Sequence, residues 1–213
     1  MRIIDLSFKI ESGAPVFPVH PRPAILPWTK IEIQGFYSNV FFLSEHTLTH
    51  VDVPAHFVKD TPTVDEVPLE KFIGDGVVLD FSYKKPKEEI TLEDLNKVLE
   101  KTPIEKDCIV LLYTGFDKYV DKPEYFTDYI GLGKEAAEKL VALGVKAVGI
   151  DTPSIDRPPF EVHSVLLSKG IVIYECLTGL NKLLGKKFKF IGLPLKIAGG
   201  SASPVRAVAV LEE

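Results

Sequence analysis

Long apolar runs, paired cysteines and basic clusters are all missing from this 213-residue chain, and each absence removes a class of protein. No uninterrupted apolar stretch approaches the roughly 18 residues that a membrane-spanning helix needs. Asp5 and Glu11 interrupt the first residues, so no secretory signal is expected. The two cysteines, Cys108 and Cys176, each lie in an apolar run, where free thiols behave as small hydrophobes. Buried thiols without a redox role suit a cytoplasmic protein. Lys and Arg number 25 against 30 Asp and Glu, a net charge of −5, with no run of five or six basic residues. Neither nucleic acid nor an anionic membrane is an expected partner. Side-chain amides are scarce too, only Asn39, Asn96, Asn181 and Gln34. That depletion is seen in heat-adapted proteins and bears on stability, not on chemistry.

What is present is enough for a substantial core. Hydrophobic residues make up 46% of the chain, and a chain of this size buries about 70% of its surface on folding. No repeat or Ser/Gly linker divides it, so residues 1–213 read as a single domain. The first 70 residues are rich in Pro and aromatics, with β-like runs at 31–33 and 40–43. Phe36, Phe41 and Phe42 are expected in the core there. From Gly76 onward strands and helices alternate. A strand at 77–81 precedes a helix opened by Thr91 with Asp94 three residues later. A strand at 108–113, a helix at 134–143 closed by Gly144 and a strand at 145–150 follow. A third helix at 160–169 ends at Gly170, and strands at 171–174, 188–191 and 205–211 complete the pattern. The expected class is α/β, with a mixed, partly barrel-like sheet and flanking helices.

The chemistry concentrates in His46-Thr-Leu-Thr-His50-Val-Asp52-Val-Pro54-Ala-His56, where three of the chain's five histidines fall within eleven residues. Thr and Val disfavour a helix interior, and the residue before Pro54 is pushed toward extended geometry. Strand and turn are therefore expected, with the polar residues on one face. A straight strand would hold His46 and His50 roughly 13 Å apart, too far for one ion. A helix would instead turn Asp52 about 200° away from His50. A bend or bulge between His46 and His50 is needed if they act together; otherwise they are surface or core histidines. A second pair is His163 and Glu175. Glu175 lies in an apolar strand, where an unpaired carboxylate is costly. A metal ion or a buried Lys or Arg would satisfy it, and the histidine at the preceding helix favours metal.

The run from His46 to His56 resembles the signature of the metal-dependent hydrolases called the cyclase or bacterial kynurenine formamidase family. Further matches are Tyr113-Thr114-Gly115, the segment from Gly149 to Asp156, the His163 to Glu175 spacing, and Leu193-Pro194-Leu195-Lys196 with Ser203-Pro204-Val205-Arg206. The resemblance implies a swivelling β/β/α-type fold, a homo-oligomer (dimer or tetramer), and one or two ions per chain, usually zinc (Zn2+) with manganese (Mn2+) as the alternative. It implies that His46, His50 and Asp52 bind a first metal, that Asp52 and Glu175 bridge to a second held also by His163, and that His56 is the general acid/base. A small-molecule acyl substrate follows, with arylformamidase the nearest named activity and amide or lactone hydrolysis close to it. The chain departs from the family in three places: Leu48 stands where Gly is usual, Phe17 where the formamidases have a substrate-contacting Trp, and His20 where an acidic residue is common. His20 itself reads as a plain loop position.

Asp151 and Asp156 read as turn formers or as support for a ligand from behind. Gly199-Gly200-Ser201 reads as a tight turn, since it lacks the Lys of a phosphate loop. One rival for the metal residues is a non-haem iron site made of His50, Asp52 and His163. Another is a non-catalytic metal-binding protein. The first leaves His46 and Glu175 without a task, and the second leaves His56 without one.

Overall fold

The computed structural model describes residues 1–211. In chain order its elements are β1 (Arg2–Asp5), β2 (Ala24–Thr29), α1 (Ile31–Gln34), β3 (Ser38–Phe42), β4 (His50–Asp52), β5 (Ile73–Asp80), β6 (Glu89–Ile90), α2 (Leu92–Leu99), β7 (Ile109–Tyr113), β8 (Gly131–Leu132), α3 (Lys134–Ala142), β9 (Ala147–Ile150), α4 (Glu161–Leu167), β10 (Val172–Glu175), β11 (Phe188–Ile191), β12 (Ala202–Pro204) and β13 (Val208–Leu211), with short 3-10 turns between some of them. Nine strands form one sheet in the order β1, β13, β11, β5, β7, β9, β10, β4, β12. The four central strands β5, β7, β9 and β10 are parallel, and antiparallel strands extend the sheet at both sides. Chain segments from both ends thus share one sheet.

Burial on both faces explains why the central strands are apolar throughout. Successive strand residues point to opposite sides, and in β7 Val110 and Leu112 join a core with α2, α3 and α4 while Ile109 and Leu111 face the other side. That second side packs Val51, Phe72, Tyr174 and Phe190 beneath the sheet. Each fully buried Val, Leu or Ile contributes about 1.5–3 kcal/mol, so two continuous layers hold the sheet without disulfides. Both cysteines are free and buried. β9 approaches its neighbours so closely that a Cβ at Gly149 would sit 2.7 Å from Leu111 Cδ2 and from Leu177 Cδ1.

Two expectations for the N-terminal third are corrected. Residues 31–34 form one helical turn, because the side chain of Gln34 accepts from the Lys30 N–H (2.8 Å) and Gly35 closes the turn at φ 80°. Phe36, Phe41 and Phe42 are exposed, not core. Phe41 and Phe42 belong to a ribbon of β2 and β3, with Phe36 in the link between its strands, and among the described residues this ribbon pairs only with itself.

Candidate metal centre

The antiparallel pairing of β4 with β10 builds the centre. His50, the first residue of β4, stands opposite Glu175, the last of β10, and Asp52 stands opposite Ile173. Directly opposed residues share a face, and Ile173 belongs to the core beneath α4. That helix carries His163 to the same place. Glu175 and Asp151 both lie at the carboxyl ends of parallel strands, where open α/β sheets place their ligands.

The bend that the His46–His50 spacing requires is present. Residues 45–49 form turns and bends, and Leu48 adopts φ 52°, a left-handed conformation that glycine takes freely and other residues take at a cost of about 1–2 kcal/mol. The glycine expected here from the resemblance would take this conformation freely, whereas Leu48 carries the turn under strain. Its carbonyl accepts from His50 Nδ1 (2.6 Å), which fixes the tautomer and leaves Nε2 facing the centre. His46 Nδ1 reaches to 3.0 Å from Asp52 Oδ1, with His50 Nε2 at 3.4 Å from the same oxygen. His50 Nε2 is also 3.6 Å from Glu175 Oε2. His163 Nε2 lies 3.2 Å from Glu175 Oε1 and 3.7 Å from Asp52 Oδ2. All five expected ligand residues therefore converge, and Glu175 meets histidines rather than a Lys or Arg.

These groups suit a cation. Both oxygens of Asp52 and Nε2 of His50 are buried without a hydrogen-bond partner, which costs several kcal/mol unless something binds them. Ligand atoms of His50, Asp52 and Glu175 lie within 4.8 Å of one another, as do those of His46, Asp52 and His56. Two carboxylates with imidazole nitrogens form a donor set of the kind zinc and manganese accept. Burial disfavours charge on His50, yet the Asp52 carboxylate holds it well above the ordinary histidine range. Asp52 itself is held well below its ordinary value, where His50 and His46 outweigh its burial. His163 is likewise held high, with Asp156, Asp52 and Glu175 overcoming burial. Mutual stabilisation of opposite charge stands here where an ion would otherwise do that work.

Support from behind is explicit. Asp156 Oδ1 accepts from His163 Nδ1 (2.6 Å) while its Oδ2 accepts from the Val162 N–H (2.6 Å), and the Ile155 N–H donates to Glu175 Oε1 (2.6 Å). Asp151 ties the ends of β7 and β9 together through the Thr114 and Gly115 N–H groups and the Thr114 hydroxyl. The tight turn at Gly199-Gly200-Ser201 donates from Ser201 and Ala202 to the Glu45 carboxylate, which anchors the residue before His46. Nothing in the sequence signalled Glu45.

A cavity of about 220 Å³ opens onto the centre, lined by His46, His50, His56, His163 and Glu175, by Leu48 and Cys176, and by the rings of Phe17, Phe57, Phe126 and Phe160. Phe17 sits edge-on to Phe126 (6.2 Å between centroids) and Phe160 (6.5 Å). No lining residue is Lys or Arg. His56 closes the short turn Pro54–His56, its ring 4.3 Å from that of His46. Burial, with the neighbouring histidines, pushes His56 down to about 4 against the pull of Asp52. His20 is not a plain loop residue: its ring stacks on His46 at 4.8 Å, and its Nδ1 lies 3.2 Å from Ser44 Oγ. All five histidines of the chain thus line one cavity. Phe57 follows His56 directly, but Phe126 and Phe160 carried no sequence signal, being far off in the chain.

A mixed sheet with an aromatic cavity over a His and carboxylate cluster is the build of a metal-dependent hydrolase. Residues 4–157 match the family described as "Putative cyclase", and the chain belongs to that family. It is 32% identical to kynurenine formamidase of Salinibacter ruber over 98% of this chain and 97% of the relative, and 32% identical to kynurenine formamidase of Delftia acidovorans over 97% and 96%. Isatin hydrolase A from Labrenzia aggregata, solved bound to benzyl benzoate, superposes with a TM-score of 0.92 at 29% identity, covering 99% of this chain and 94% of that one. A structure described as a potential metal-dependent hydrolase with cyclase activity superposes at 0.82 with 25% identity, over 100% and 98%. The protein is a metal-dependent hydrolase. Among the described residues no helix is long and apolar enough to cross a membrane.

Proposed function

We propose that the chain hydrolyses a formamide, cyclic amide or lactone on an aromatic small molecule, in the cytoplasm, with Zn2+ or Mn2+ as the metal. The observation that carries this reading is the buried, unpartnered trio of Asp52 Oδ1, Asp52 Oδ2 and His50 Nε2, of which His50 lines the aromatic cavity. A bound divalent cation polarises the acyl carbonyl and lowers the pKa of water toward neutrality. His46, His50 and Asp52 would hold one ion, and Asp52, Glu175 and His163 would hold a second. His56 lines the cavity beside this set. As general base it takes the proton of the attacking water, and as general acid it returns that proton to the departing amine nitrogen or alkoxide oxygen. Phe17 offers an aromatic face without the N–H of an indole. The four phenylalanine rings exclude bulk water and favour an aromatic acyl compound.

Metal analysis paired with kinetics tests these roles. The parent protein, purified with zinc or manganese, holds one to two ions per chain, and the variant combining His50→Ala with Asp52→Ala holds none. His56→Ala retains its metal and loses about 10²- to 10⁴-fold in kcat on an N-formyl aromatic amine or a cyclic amide. Metal loss at His56→Ala would make His56 a ligand, and equal metal in the double variant would remove the centre from these residues.

A further inference from the structure

Six non-glycine residues among those described adopt a left-handed backbone, and they divide by setting. Asp60, Lys87 and Asp107 are exposed polar residues of surface turns, where the conformation is tolerated. Leu48 (φ 52°), Phe160 (φ 61°) and Cys176 (φ 52°) are apolar, and all three line the cavity that opens onto the centre. Strained backbone persists only where its surroundings hold it, and it gathers at ligand sites. In Leu48 the backbone and the side chain have separate tasks. The left-handed turn presents its carbonyl to His50 Nδ1, which a glycine would do without strain. The side chain is buried, at 4% exposure, yet belongs to neither core layer. What surface it keeps lines the cavity.

We propose that the Leu48 side chain is a specificity determinant, limiting the cavity to substrates built on one aromatic ring and turning away those with two fused rings. This role rests on the hydrolase reading above and narrows its substrate class. A cavity of roughly 150 Å³ already holds benzene, so one of about 220 Å³ takes a single ring with its acyl group and little more. The rest of the wall is stiff. Phe160 packs its ring against those of Phe17 (6.5 Å between centroids), Phe57 (6.2 Å) and His163 (5.9 Å). Cys176 is held through its backbone, its N–H donating to the Thr152 carbonyl (2.9 Å) and its own carbonyl accepting from the Thr49 hydroxyl (2.6 Å). Space vacated at Leu48 therefore stays open to a ligand, since a cavity closes only as far as its walls can relax. One methylene in an apolar pocket changes discrimination about 10- to 200-fold, and the leucine side chain carries several carbons.

Binding and turnover test this role separately. Acetophenone and 2-acetonaphthone each carry an aryl carbonyl and no bond to hydrolyse, so calorimetric titration of the full metal-loaded chain reads the cavity without catalysis. The parent is expected to prefer the single-ring ketone. Leu48→Ala and Leu48→Gly are expected to shift the ratio of the two dissociation constants by about 10-fold or more toward the fused-ring ketone. Leu48→Gly also relieves the backbone, which keeps the test open if Leu48→Ala fails to fold. Leu48→Met, of similar volume, is expected to keep the parent's ratio. The ratio of kcat/KM for formanilide over N-formyl-2-naphthylamine is expected to move with the binding ratio. A parent that binds both ketones equally, or neither, overturns the proposal, as does an unchanged ratio in the trimmed variants. Equal loss of both ketones counts the same way, since it would make Leu48 only a support for His50. Turnover of neither formamide by any form would sink the hydrolase reading, whereas the ketone ratios would still decide the role of Leu48.

Discussion

The Nδ1–H of His163 is taken by Asp156, whose other oxygen accepts from the Val162 backbone, so Nε2 alone faces Asp52 and Glu175. An amide at position 156 can offer its oxygen to one of these two donors but must present its own N–H groups to the other. Asp156→Asn therefore leaves either the helix start or the His163 tautomer unsupported, although neither atom of residue 156 reaches the centre. Loss of such a partner costs about 10- to 100-fold in metal affinity or activity. Competition with a chelator, read beside kcat/KM, checks this, and a variant that binds metal and turns over like the parent would reduce Asp156 to a helix-capping role. Legibility at this scale followed residue type. Clustered histidines stand out in any sequence, and Glu175 stood out because an apolar strand gives a carboxylate no solvent. His20 did not stand out, because its place is set by a ring stack on His46, 26 positions further along the chain, which no local pattern encodes.

Elements with their own end signals were legible almost residue by residue. Thr91 accepts from the Asp94 N–H (3.2 Å) and Asp94 Oδ2 accepts from the Thr91 N–H (2.9 Å), the reciprocal cap that Thr91 and Asp94 announce in the sequence. Asp94 also receives Lys84 Nζ at 2.9 Å. Burial raises its pKa, but the donors from Thr91, Lys84 and Tyr83 together hold it below the usual carboxylate range. A depressed folded-state pKa gives stability that is present above the unfolded value of about 3.9 and is lost progressively as the pH falls from there through the lower folded value. The Tm gap between the parent and an Asp94→Asn variant is thus expected to be widest near neutral pH and to narrow below about pH 4. A gap that stays constant from pH 7 to pH 3 would show that the charge on Asp94 is not what stabilises α2. Where no such end signal exists, reading failed. Ile31 and Ile33 alternate as a strand would, but Gln34 and Gly35 close them into a turn. Phe41 and Phe42 look like core because hydrophobicity alone does not distinguish an interior from an exposed ribbon.

Across the whole molecule the centre is a structural joint as much as a chemical one. The residues proposed as its ligands come from a bend, an antiparallel strand, a helix and a parallel strand, drawn from residues 46 to 175, and they meet where β4 joins β10 between the two core layers. The fold class was legible from the alternation of strand and helix, but the strand order was not, since β1 and β13 close one side of the sheet from opposite ends of the chain. Without a cation, Asp52 and Glu175 stand buried together, and folding must cover their desolvation with the histidines and the Ile155 N–H. A ligand that binds only the folded state stabilises it by about 2.7 kcal/mol when present at 100 times its Kd. For a chain of this length each kcal/mol moves Tm by roughly 2–4 °C. Chelation is therefore expected to lower Tm by roughly 5–10 °C, and readdition of zinc or manganese to restore it. The variant combining His50→Ala with Asp52→Ala should melt at one temperature whether chelator or metal is added. A chelator shift that persists in that variant would mean the stabilising ion sits elsewhere in the fold.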